Sequence, residues 1–157
     1  KLGLPGDQVQ MSGGQLWLNG QPVPKVKVAD AEVPVSANTH CHLPQFEARG
    51  ADGAEVCRYP RYRETLPNGK SYYVVDLEQL PQDETPVFVV PEGHLFAMGD
   101  NRDNSMDSRF SQSVGGVGYL PAEYLIGRAD RIMFSSAGRS LFFFWTWRSD
   151  RFFKAVE

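Results

Sequence analysis

The sequence predicts a mostly β fold, with antiparallel sheets built from hairpins and few short helices. Three features carry that expectation. The 15 glycines and 11 prolines of the 157 residues are spread along the chain, punctuating short apolar runs instead of forming a low-complexity stretch. Several of those runs alternate apolar and polar residues with the period of two that a half-buried strand requires. Asn19-Gly20 supplies the dipeptide that most strongly favours a tight hairpin turn.

In chain order, Val9–Met11 and Gln15–Leu18 alternate on either side of Ser12-Gly13-Gly14, which predicts a first hairpin. Asn19-Gly20 turns the chain again into Gln21–Pro24. Lys25-Val26-Lys27-Val28 reads as an edge strand with its lysines outward. Tyr59–Thr65 and Ser71–Leu77 are aromatic and β-branched runs joined by Leu66-Pro67-Asn68-Gly69-Lys70, a third hairpin. Val87–Val90 is a short apolar strand. The best helix candidate is Pro121–Ile126, opened by proline and stopped by Gly127, one or two turns long.

Length and the absence of a repeat or linker predict one domain spanning residues 1–157. The chain opens on Leu2-Gly3-Leu4-Pro5-Gly6-Asp7, a turn with no signal peptide before it, so the expectation is a domain truncated at its N-terminus. A net charge of −3 gives no basic face for displacing counterions, which argues against nucleic acid as a partner. Arg58, Arg61 and Arg63 interleave with aromatics, but on a strand they fall on both faces and form no stripe. No apolar run reaches the roughly 20 residues of a membrane-spanning helix.

Cys41 and Cys57 admit three readings. They can form a disulfide closing a loop of about 15 residues, which would stabilise by roughly 3 kcal/mol. They can be free buried thiols. With His40 and His42 they can offer four metal ligands, although adjacent His-Cys-His side chains converge poorly on a tetrahedral site. No metal or other cofactor is expected.

The most informative run is Gly99-Asp100-Asn101-Arg102-Asp103-Asn104-Ser105-Met106-Asp107-Ser108-Arg109. Its short polar side chains compete with regular backbone pairing, so it must be a loop. Asp103-x-Ser105-x-Asp107 resembles the start of an EF-hand, but Ser108 replaces the required glycine and no closing glutamate follows. Three acids and two arginines in so short a span can pair internally and stiffen the loop.

This run resembles the signature of the bacterial type I signal peptidases, Gly-Asp-Asn-Arg-Asp-Asn-Ser-x-Asp-Ser-Arg, at every specified position. Pro91–Met98 is similar to the family's lead-in strand, and Gly118–Pro121 and Leu125–Ala129 to its next block. Gly3–Asp7 is similar to the end of the block that carries the catalytic lysine, and Arg148–Phe152 to the basic C-terminal strand. Residues 30–85 match no motif and are expected to be a family-variable insertion.

The resemblance implies a membrane-anchored serine endopeptidase that removes signal peptides from exported preproteins, on the periplasmic side of the cytoplasmic membrane. A lysine serves as general base, which requires its ammonium to be desolvated enough to lose its proton. The family's serine block finds no match in this sequence. Lys1 stands two residues before Gly3 where the family pattern places lysine four before it, about 7 Å out of register on a strand, so the base role is not carried to it. Ser105 is implied to hydrogen-bond the catalytic lysine, Asp107 and Arg109 to pair and hold the loop, and Asp100 and Arg102 to extend the salt-bridge network. An extracytoplasmic location agrees with a disulfide. Leu141–Trp147, followed by Arg148 and Arg151, fits either a membrane-interface segment or a buried strand. Two functions follow: part of a signal peptidase, catalytically incomplete in this chain, or a non-catalytic β module that binds a peptide or protein partner.

Overall fold

The computed structural model describes residues 2–36, 39–127, 129, 131–133 and 154–155. The chain folds as two compact units, one of residues 1–30 and 60–126, the other of 31–59 and 127–157. The fold is mostly β, as expected, with antiparallel sheets joined by single 3-10 turns.

Three sheets make up the first unit. In one, β2 (Gln8–Ser12) pairs with β3 (Gln15–Leu18), β3 with β4 (Gln21–Pro22), and β11 (Phe88–Val89) closes the far edge. Gly13 and Gly14 both have positive φ, 57° and 72°, the geometry of a two-residue turn that matches strand twist. That turn sets Met11 opposite Leu16, and Val9, Met11 and Leu16 then share the buried face. Asn19 adopts φ 52° before Gly20 and fixes the next turn through its side chain, accepting from Gln8 N–H and donating to Asp7.

A second sheet has β12 (His94–Ala97) between β1 (Leu2–Gly3) and β13 (Tyr119–Pro121). A third has β9 (Arg61–Thr65) between β5 (Lys25–Lys27) and β10 (Ser71–Val75). Val9, Met11, Leu16, Val23, Val90, Phe96 and Met98 form the buried core, flanked by Leu18, Leu66, Phe88 and Tyr119. It takes in Phe96 of β12, the strand that runs into the polar loop.

Two expectations are corrected. Lys25 points inward, donating to the Gly14 carbonyl and pairing with Asp76 beside the Tyr62 ring, while Val26 is 53% exposed. A buried carboxylate outweighed the simple rule that lysines face water. Pro121–Ile126 is no helix: Pro121 pairs with His94 across the sheet, and only Ala122–Tyr124 forms a 3-10 turn.

In the second unit β8 (Glu55–Tyr59) lies between β6 (Ala31–Pro34) and β7 (Glu47–Arg49), and β14 (Arg131–Ile132) pairs with β15 (Lys154–Ala155). Cys57 of β8 is fully buried and joined to Cys41 by a disulfide, with Cα atoms 5.3 Å apart. Both thiols are thus spent on each other, which removes the free-thiol and metal readings. Arg58 pairs with Glu32, and Arg61 donates to the Ala29 carbonyl and stacks on Tyr73. No helix among the described residues is long and apolar enough to cross a membrane. Lys1, the Leu141–Trp147 segment and Arg148–Phe152 lie outside the described residues.

Candidate functional site

The polar loop begins where β12 leaves the core. Met98 is still buried, and Ser108 clasps the two ends together: its N–H donates to Ala97 C=O at 3.0 Å, and its hydroxyl accepts from Ala97 N–H at 2.8 Å. Between these ends the residues from Gly99 to Ser108 form a closed loop that has no regular ladder to satisfy its backbone, so side chains and the Val75 backbone do so.

Two charge clusters hold it. Arg102 is fully buried and donates to both carboxylate oxygens of Glu64 on β9, at 2.8 and 2.6 Å, and to the Gly99 carbonyl at 3.3 Å. Tyr72 of β10 donates its hydroxyl to the same carboxylate at 2.6 Å. Burial would lower the Arg102 pKa, but the hydrogen bonds and charge of Glu64 outweigh it, and the net shift is upward. Burial first, then Glu64, pushes the Tyr72 phenol well above its ordinary value, so it stays a donor. The backbone on both sides of Asn101 is tied to β10: Val75 N–H donates to Asp100 C=O at 2.8 Å, and Arg102 N–H to Val75 C=O at 2.9 Å.

In the second cluster, Arg109 donates from Nε and one terminal nitrogen to both oxygens of Asp107, at 2.9 and 3.0 Å, with side chains 1% and 6% exposed. The same terminal nitrogen reaches the Arg102 carbonyl at 2.5 Å, joining the two clusters. Asp107 also accepts from the N–H groups of Gly99, at 2.9 Å, and of Arg109, at 3.1 Å. One carboxylate therefore satisfies the start and the end of the loop.

Ser105 sits in the space that Gly99 leaves open. A Cβ at Gly99 would lie 2.2 Å from the Ser105 hydroxyl oxygen, so no other residue fits there without moving the serine. The loop thus presents a half-buried hydroxyl on a frame of buried ion pairs. It offers no base beside a nucleophile, and what it can do chemically is position a hydroxyl donor and acceptor.

Of the residues expected here, the structure brings together Arg102, Ser105, Asp107 and Arg109. The Asp100 side chain stands apart: it is exposed, its carboxylate accepts from the neighbouring Asn101 N–H, and it forms no salt bridge among the described residues. The carboxylate that meets Arg102 is Glu64, 38 residues away and inside the stretch that matched no motif. A usable sign existed. Asn68-Gly69 sets the hairpin register that places Glu64 opposite Tyr72, on the inward alternation of the strand. Ser108 and Tyr72 were also missed.

The described residues thus form a mostly β scaffold that carries a salt-bridged polar loop at the end of a core strand. The family model described as "Signal peptidase, peptidase S26" matches residues 2–134. The chain belongs to that family. It is 33% identical over 142 residues to a signal peptidase I of Rickettsia typhi and 34% identical to one of Rickettsia prowazekii, in each case across 86% of this chain and 44% of the relative. A signal peptidase I of Rickettsia bellii is 33% identical, with 40% of its length covered. The chain therefore spans less than half the length of these relatives. No solved structure matches significantly.

Proposed function

We propose that this chain is the extracytoplasmic part of a membrane-anchored signal peptidase I, an endopeptidase that removes signal peptides from exported preproteins by a serine nucleophile and a lysine base. The observation that carries the reading is the loop itself: the full family signature falls on a buried frame that holds Ser105 against Gly99. Such a frame is costly to build, since each buried charge must be paired and hydrogen-bonded, and a positioned catalytic group justifies the cost. In this reading Ser105 hydrogen-bonds the ammonium of the catalytic lysine. Asp107, Arg109 and Arg102 hold the loop that places it. The Asp100 carboxylate, at the surface, is left without a part in the frame.

The 157 residues alone should not cleave a preprotein, because the serine block of the family finds no match among them and Lys1 is out of register with its lysine. Incubation with a preprotein followed by mass spectrometry tests this. The expected result is intact substrate. Cleavage after an Ala-x-Ala site that disappears on substituting a residue of this chain would overturn it.

A further inference from the structure

Outside the loop's own ion pairs, three aspartates converge in the first unit. Asp76 follows β10, Asp83 ends the 3-10 turn Pro81–Asp83, and Asp103 lies in the polar loop. One carboxylate oxygen from each falls within 4.8 Å of the other two. Mutual repulsion at that spacing needs an answer. Part of it is given: Lys25 pairs with Asp76, and Arg109, paired with Asp107, also acts on Asp83 through its charge, its second terminal nitrogen being buried without a hydrogen-bond partner. Two negative charges remain.

The oxygens that remain open are buried. Asp83 is 4% exposed; its Oδ2 accepts from Leu80 N–H at 2.8 Å, but its Oδ1 accepts nothing. Asp103 repeats the pattern, with Oδ2 taken by Leu77 and Glu78 N–H and Oδ1 buried and unpaired. Buried carboxylate oxygens without partners carry a full desolvation penalty, so a native fold supplies something to meet them.

We infer that Asp76, Asp83 and Asp103 bind one hard divalent cation of the calcium class. All three ligands are carboxylate oxygens, the donors such ions select. Three oxygens within 4.8 Å of one another are near enough to meet one such ion, whose oxygen ligands stand at about 2.4 Å for calcium. The ligands come from three separate elements, which suits the ion that tolerates irregular geometry. Bound there, calcium would tie the polar loop to the end of β10 and, through Gly14 N–H on the Asp83 carbonyl, to the first hairpin. The competing occupant is a proton, because burial, reinforced by Asp76 and Asp103 against the Leu80 N–H and the charge of Arg109, pushes the Asp83 carboxyl upward.

Calorimetric titration and thermal melts of the 157-residue chain, stripped with EDTA at neutral pH and then given calcium or magnesium chloride, separate the two. Expected are one calcium site per chain and a Tm rise of about 3–6 °C at calcium about ten-fold above its Kd, with a smaller effect of magnesium. Asp83→Asn and Asp103→Asn should each abolish both signals; if the first fails to fold, the second carries the comparison. A parent chain that shows neither heat nor shift with calcium overturns the inference and leaves the proton in place. Calcium binding that survives both substitutions overturns it as well, by locating the ion elsewhere.

Discussion

Arg102 and Glu64 show what a buried pair demands. Both side chains are essentially inaccessible, and each satisfies the other through two hydrogen bonds. Glu64→Gln keeps the shape but leaves a buried guanidinium uncompensated, so urea melts should show a loss of about 3–5 kcal/mol. Arg58 and Glu32 provide the contrast: at 45% and 44% exposure, Glu32→Ala should cost about 0–1 kcal/mol. Equal losses from the two substitutions would contradict this reading of the loop frame. Gly99→Ala acts on space instead of charge. Its Cβ must displace Ser105, and strain of about 1–3 kcal/mol should appear in the same melts. Legibility at this scale followed distance along the chain. Asp107 and Arg109, two residues apart, were readable as a pair, whereas the partner of Arg102 lies 38 residues away and depends on sheet register.

Among elements, the hairpins were legible because turn chemistry is local. Gly13-Gly14, Asn19-Gly20 and Asn68-Gly69 each bring their own conformational demand, and the strands follow from it. Lys25 and Pro121–Ile126 were misread for one reason. Each is decided by a partner distant in sequence, Asp76 in one case and His94 in the other, and tertiary pairing overrode local preference. The disulfide belongs to this scale too. It ties Cys41 to Cys57 on the middle strand of its sheet and should stabilise by roughly 3 kcal/mol. Protein made under oxidising conditions should be lighter than its reduced form by the two thiol hydrogens and should resist alkylation. Two freely alkylated cysteines in the unreduced protein would refute the bridge.

At the level of the whole molecule, two sheets in the first unit converge on one loop. β12 delivers it, β9 and β10 supply Glu64, Tyr72 and the backbone clasp, and the core that takes in Phe96 fixes the strand that carries it. The fold class and the family were readable from composition, turns and one eleven-residue run; the Glu64 and Tyr72 side of the frame behind that run was not, since it comes from strands whose sequences match no motif. In the proposed function this frame exists to place Ser105 for catalysis. Cleavage of a preprotein by the full-length protein carrying Asp107→Ala, compared with its parent, tests it most directly. Losing Asp107 releases both Gly99 and Arg109, and a displacement of about 1 Å at a positioned group lowers turnover by roughly 100-fold. The account predicts a fall in kcat of that order with KM little changed, alongside a loss of stability larger than an exposed pair could give. A variant that melts like the parent and cleaves at the parent rate would contradict it.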